Sequence, residues 1–471
     1  MSFDNKHLLE GSVTKSIFKL SLPIILSNLL QTAYNLTDTF WVGRLGPNAV
    51  ASVSISFPII FLLISIGSGL ALAGTILVSQ YQGKKDQQKV NHISTQTILL
   101  TAIFALLISV IGYLISPLLL SMMGAEQTVY NDAVSYLQII FLGMISLFMF
   151  GVFQSLLRGV GDAKTPLYVI LFTVILNLIL DPLLIFGFWF IPPQGVVGAA
   201  YATIATQTLA AIIGIGMLLS SKHSIHIKPK NFKPDFKLMK RMFLLGLPAS
   251  IEQSMRALGM TIMTFLVTSF GTITIAAYGI GTRILSFIII PAIGISIATS
   301  TLVGQNIGAG KPKRAKQITK ISSELSFVIL TSVGIILFIF SNQIAEFFIP
   351  NELEVITSSS LFIRIMALTF GFIGFQQALL GAFRGAGNTI ITMVLSIISL
   401  WIFQFPFAYI LSHNISLGEI GIWLSFPISN ELSAIVAIIW YKKRSLKENK
   451  PIFEDELAKE VMNESVIDDV I

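Results

Sequence analysis

The sequence predicts an all-α integral membrane protein with twelve transmembrane helices in two parallel six-helix lobes. Three observations predict it. Of the 471 residues, 54% are hydrophobic and 12% charged, about half the charged share of soluble domains. With a mean hydropathy of +0.80, the chain lacks the polar residues to cover its own surface, so lipid must cover it. Apolar runs long enough to cross a bilayer, about 20 residues each, recur along the chain, and the chain repeats itself once.

The runs centre near Ser27, Ile64, Phe104, Ile145, Ile175 and Gly214, then Ile251, Ile288, Leu330, Leu368, Ser399 and Leu432. The second, eighth and tenth exceed a minimal span, and tilt or extension beyond the lipid absorbs the excess. The expected layout is a cytoplasmic N-terminus (1–15), an N-lobe (16–220), a cytoplasmic linker (221–238), a C-lobe (239–441) and a cytoplasmic tail (442–471). The first residues, MSFDNKHLLEGSVTKSIFKL, hold no short apolar core with a small-residue cleavage site and read as a retained segment. The tail is first basic and then acidic, which reads as a solvated segment.

The repeat has a fixed offset. Pro23 and Pro248, Gly46 and Gly271, and Gln80 and Gln305 are each 225 apart; LVSQYQG recurs as LVGQNIG and RGVGDAKT as RGAGNTII. Each copy holds an even number of spans, so both share one orientation. Such parallel repeats imply two lobes related by an axis along the membrane normal.

Charge placement gives the orientation. With the N-terminus inside, lysines and arginines fall in cytoplasmic segments except for Arg44, in an external loop, and Arg256, Arg283 and Arg364, within spans. This asymmetry predicts an inner-membrane protein with both termini in the cytoplasm. It also explains the net charge of +7 without a nucleic-acid partner. Cysteine is absent, which removes disulfides, thiolate metal sites and cysteine nucleophiles.

Ionisable groups inside spans are costly and usually functional. The N-terminal half has two, Asp38 in the first helix and Asp181 in the fifth. Asp38 lies about 7–8 Å below the outer end of its helix, and Asp181 lies at a similar depth. Asn177 precedes Asp181 by four residues and shares its face. Thr203 and Thr206 of the sixth helix reach that level or somewhat deeper. Two carboxylates, an amide and hydroxyls build an oxygen-lined site for a hard cation. If close, the carboxylates titrate as one unit, which suits a proton carrier equally well. Pro182 follows Asp181 and frees the carbonyl of Leu178, a local kink being expected. The plainer reading is that each aspartate caps a helix end at the interface.

Gln31, Tyr34, Asn35 and Asp38 form a polar stripe on an otherwise apolar helix, and such a stripe faces protein or water. With Tyr136 and Gln154 they are the candidate substrate-cavity residues. Tyr136 alone is as compatible with an interfacial anchor. The repeat aligns Asp38 with Met263 and Asp181 with Phe407, so the acidic pair is not duplicated. The C-terminal half instead holds Glu252, Arg256, Arg283, Arg364 and Glu431. Glu252 and Arg256, four apart, are placed to neutralise each other; the arginines are alternatively placed to attract an anionic substrate group.

These residues resemble the multidrug and toxic compound extrusion (MATE) family. The match rests on PIILSNLLQTAYNLTDTFWVGRLGPNAVAS, RGVGDAKTP, NLILDPLLIFG and GVVGAAYAT, and covers nearly the whole chain. The resemblance implies two six-helix lobes around a central V-shaped cavity, and antiport of cationic drugs against Na⁺ or H⁺. It implies that Asp38, Asn177, Asp181 and Thr203 form the coupling site, with Tyr34 and Tyr136 as neighbours, as in the bacterial and archaeal branch. It also implies that the first helix bends at Pro23. Other branches couple through acids on helices 7 and 10; here helix 10 has no acid in its core and Glu252 is displaced from the familiar position.

The expected function is export of small cationic or amphipathic compounds, drugs or toxic metabolites, driven by inward H⁺ or Na⁺ movement. The expected protein is a monomer surrounded by lipid, with no cofactor besides the ion. A lipid or lipid-linked oligosaccharide flippase of the same superfold is the rival. A major-facilitator transporter is disfavoured, because QYQGKKDQQKV after the second helix lacks the Asp-Arg…Gly-Arg-Arg signature. An enzyme is disfavoured because there is no HExxH-type metal pair. The histidines (His7, His92, His223, His226, His413) fall in or near loops, and a solvated role suits His223 and His226 better than a metal site.

Overall fold

The computed structural model describes residues 6–189, 191–220, 224–227 and 232–443. The acidic tail, His223 and part of the linker lie outside the described residues. Twelve long helices follow the predicted order. The first six are α1 (Val13–Gly43), α2 (Pro47–Lys84), α3 (Gln87–Met122), α4 (Gln127–Val160), α5 (Lys164–Ile185) and α6 (Gly195–Leu219). The second six are α7 (Phe236–Thr268), α8 (Thr272–Gly308), α9 (Pro312–Ile339), α10 (Leu353–Ala367 with Phe370–Gly385), α11 (Thr389–Asn414) and α12 (Glu419–Lys443).

Ten of these are long and apolar enough to cross a membrane, and the two segments of α10, bent by 50°, make an eleventh. The predicted centre at Leu368 falls at that bend. α7 is less apolar because Glu252, Gln253 and Arg256 interrupt it. Two short helices, Lys6–Glu10 and Ser341–Phe348, carry too few apolar residues to register as spans. α2, at 38 residues, is about 57 Å long, well beyond the hydrocarbon thickness.

α11 departs from α-geometry, with π-helical stretches at Ile398–Gln404 and Ile410–Asn414. By the repeat it corresponds to α5, which is regular. π-Bulges cluster where a helix has been locally re-aimed.

The chain forms two compact units. One takes residues 22–78 and 86–254; the other takes residues 5–21, 79–85 and those from 255 on. In the first, α3 packs on α4, α4 on α6 and α5 on α6. Leu63, Ala105, Leu120, Phe141, Met144, Phe148 and Ala200 form its larger apolar core. In the second, Tyr278, Phe362, Trp423 and Phe426 stack at one end, with the Phe362 and Trp423 rings 4.1 Å apart. Hereafter the end of each unit where helices carry the lysine-rich turns is the basic end, and the opposite one, where α1 meets α2, is the distal end.

The RGVGDAKT phrase is a helix corner. Gly161 adopts a left-handed φ of 94° and ends α4, a conformation available to glycine at little cost. Asp162 then accepts the backbone N–H groups of Lys164 (3.1 Å) and Thr165 (3.0 Å), which opens α5. The copy, RGAGNTII, repeats the left-handed glycine, with Gly387 at φ 84°.

The described part of the linker is packed against the first unit. Ile225 and Ile227 are buried, and α3 grips the backbone. Gln87 donates to Ser224 O, Asn91 accepts from His226 N, and Gln96 both donates to Lys233 O and accepts from Asp235 N. The partners of these α3 side chains lie about 135 residues away in sequence.

Candidate cation site

Four of the predicted residues come together near the distal end of the first unit. On α1, Asp38 accepts from Thr203 Oγ1 of α6 at 3.2 Å. On α5, Asn177 Nδ2 donates to Asp181 Oδ1 at 3.0 Å, one turn along the same face. Asp181 and Asn177 join Thr203 as side-chain neighbours of Asp38. α5 continues through Pro182 as one helix, so the Leu178 carbonyl lacks its usual donor beside the acid.

One turn toward the basic end, Tyr34 Oη lies 2.7 Å from Thr206 Oγ1. The Thr206 hydroxyl is directed at the carbonyls of Ala202 and Thr203, so the phenol is the donor. This pair closes the seam between α1 and α6 below the acids. Close approach of α5 and α6 requires Gly198: a Cβ there would lie 2.4 Å from Leu184 O.

Asn177 and Asp181 are fully buried, whereas Asp38 is half-buried and lines a cleft of about 250 Å³. Three acceptor oxygens are buried without any hydrogen-bond donor: Asp38 Oδ1, Asp181 Oδ2 and Asn177 Oδ1. Unpartnered buried acceptors are costly. Three of them on converging side chains fit a bound Na⁺, which takes oxygen ligands, or protons shared between the carboxylates. Interfacial capping does not account for two fully buried side chains on α5.

The cleft is lined by Asp38, Thr39, Val42, Val50, Val53, Ser54, Phe57, Tyr136 and Ala199. Of the predicted cavity residues, Tyr136 lies in this lining. Tyr34 is buried against Thr206, Gln31 is half-buried, and Asn35 is exposed. Gln154 accepts from Arg158 at 2.9 Å near the basic end of α4. The walls from α2 were not foreseen. Val50, Val53 and Phe57 carry no polar signal, and only Thr39 and Ser54 could have marked the face.

Comparison with known proteins decides the family. The MatE family profile matches twice, over residues 23–183 and 248–410, with starts 225 residues apart. The chain belongs to the MatE family. A probable multidrug resistance protein, YoeA of Bacillus subtilis strain 168, is 30% identical to this MatE chain over 92% of it and 95% of the relative. A Shewanella oneidensis protein named FAD transporter is 27% identical over 92% and 95%. Among solved structures, the outward-facing conformation of a multidrug resistance MATE family transporter of the MOP superfamily aligns with a TM-score of 0.89. It is 26% identical and covers 95% of this chain and 100% of that one. The MatE chain is therefore a multi-pass membrane transporter with the family's twelve helices in two lobes.

The remaining predicted residues of the MatE chain lie elsewhere. Pro23 sits inside an unbroken α1, where its carbonyl accepts from Ser27 Oγ at 2.8 Å. Arg364 donates to Ser341 Oγ at 2.7 Å and lies 6.0 Å from the Phe338 ring. Glu252 is buried, Arg256 half-buried, and Arg283 and Glu431 exposed.

Proposed function

We propose that this MatE transporter exports small cationic or amphipathic organic compounds in exchange for inward H⁺ or Na⁺. Asp38, Asn177, Asp181 and Thr203 are the coupling group. The observation that carries the reading is the set of three buried, donor-less oxygens on Asp38, Asp181 and Asn177. A positive charge is the species that relieves all three at once.

Substrate occupies the cleft beside Asp38. Its walls are Val42, Val50, Val53 and Phe57, with Tyr136 and the carboxylate of Asp38 at one side. An apolar cation gains burial from the walls, ring contact from Phe57 and charge pairing from Asp38. Coupling follows from competition: a cation held by Asp38 removes the partner of the organic cation. A ligand that bound both transporter states equally would shift nothing. The basic end faces the cytoplasm of the inner membrane, with both termini there, and a single chain suffices for the cycle. The lipid-flippase reading gains no support from Arg364, whose guanidinium is engaged by Ser341 and Phe338.

The test is ethidium efflux from drug-sensitive cells expressing the wild type, Asp38→Asn or Asp181→Asn, with Na⁺ and pH gradients imposed separately. Efflux that vanishes in both variants supports the reading, and the effective gradient names the ion. Full efflux in Asp38→Asn refutes it.

A further inference from the structure

The two acids of the coupling group differ in access. Asp38 lines the cleft, whereas Asp181 and Asn177 are absent from its lining and fully buried. What separates them from the distal surface is an apolar plug. Val42 of α1, Ala49 of α2, Ile185 of α5, and Val196 and Ala199 of α6 are each buried, with Trp41, Leu45, Val53 and Tyr136 packed against them. Val42, Val53, Ala199 and Tyr136 form its cleft side, and Ile185 and Val196 its α5–α6 side.

The register of the plug is set by the helices. Val42 follows Asp38 by four residues and Ile185 follows Asp181 by four, so each acid carries an apolar residue one turn further out on its own face. Beyond them Trp41 of α1 meets Phe186 of α5, edge to face, with centroids 6.1 Å apart. The Arg44 guanidinium lies 5.9 Å from the Trp41 ring and braces it. Toward the basic end, the Tyr34–Thr206 bond closes the seam between α1 and α6. On α5 itself the next buried hydroxyl, Thr173, is directed to Ile170 O.

A cation crossing between Ile185 and Val196 would shed its hydration against side chains that carry no oxygen. The route through Asp38 offers oxygens at every step: Asp38, then Thr203 and Asn177, then Asp181. We propose that the plug makes the two acids a single file, with Asp38 the entry group and Asp181 an inner store filled and emptied only through it. Ile185, Val196 and the Trp41–Phe186 pair are its positioning residues. The order rests on the coupling role given above to the acids, but it is an order of access and can be measured without transport.

The absence of native cysteine makes the measurement direct. Asp38→Cys and Asp181→Cys are made singly, reconstituted in nanodiscs with both faces open, and reacted with a charged methanethiosulfonate. Thiol reactivity follows exposure and thiolate character, so Cys at 38 should react more than ~10-fold faster than Cys at 181. Adding Ile185→Ala to the Asp181→Cys chain should raise its rate severalfold, and the same change in the Asp38→Cys chain should leave the rate at 38 unchanged. If Asp181→Cys does not fold, Asn177→Cys, which retains both acids, is the inner reporter, set against Thr39→Cys in the cleft. Equal rates at the outer and inner positions, or an inner rate indifferent to the plug, overturn the single file. Because labelling reads access alone, that failure is distinct from a failure of coupled efflux in the aspartate variants.

Discussion

Asn177 and Asp181 stand one turn apart on α5, with the amide of Asn177 donating to Asp181 Oδ1 at 3.0 Å. That amide also brings an unpartnered oxygen into the same buried space. Asn177→Ala removes both the donor and the acceptor. A hydrogen bond to a charged group is worth about 1.5–3 kcal/mol, or roughly 10- to 100-fold in cation affinity. The half-saturating Na⁺ concentration, or the pH of half-maximal efflux, should shift accordingly while the amount of folded protein holds. An unshifted value would remove Asn177 from the site.

Tyr34→Phe deletes the phenol that donates to Thr206. The loss of this buried bond should lower stability by about 1 kcal/mol, read as thermal unfolding in detergent. Thr206→Val in the Tyr34→Phe background should add less than it does alone, since the two share one interaction. Strict additivity would mean that the pair does not hold α1 to α6.

Gly198→Ala places a methyl where Leu184 O now sits, at 2.4 Å. Neither backbone can yield without parting α5 from α6, and overpacking of this kind costs about 1–3 kcal/mol. The displacement also draws Thr203 from Asp38, so efflux should fall with stability. Wild-type melting and efflux would show that the two helices are free to adjust.

Asp235 caps α7 and pairs with His92 at 3.1 Å. Its carboxyl is held below the usual range, first by the Leu238 N–H, then by the hydrogen bond and charge of His92. The folded state therefore prefers the ionised form. The resulting stability is complete above the unfolded value, about pH 4, and is lost as pH falls through the lower folded value. Asp235→Ala should cost about 1 kcal/mol at pH 7, and the difference from wild type should close as pH falls below the ordinary carboxylate value. A gap that stays constant with pH would assign the effect to packing. His92→Gln should retain the cap and lose only part of the gap.

Much of the site could be read from the residues because a membrane span makes polar groups conspicuous. Asp38, Asn177, Asp181 and Thr203 stand out against apolar neighbours, and helical spacing places Asn177 and Asp181 on one face. The same contrast marks Asn35, which belongs to the polar stripe by spacing and is exposed. It also marks Gln154, which accepts from Arg158. The linker's anchoring is not legible in the residues: Asn91 and Gln96 hold its backbone groups, and the side-chain chemistry of the linker does not advertise them.

Read alone, the amino-acid order was enough to establish a twelve-helix membrane protein in two repeated halves. The bilayer demands long apolar helices, and a duplicated sequence keeps its spacing. It was enough, too, to pick out the acids, because burying a carboxylate among apolar residues is too costly to be incidental. Folding alone decided what surrounds them. An apolar side chain facing lipid and one facing a neighbouring helix have the same composition. Only the packed helices distinguish Val42, Val50 and Phe57 as cleft walls, Ile185 as the plug, and Asp181 as the acid that the cleft does not reach.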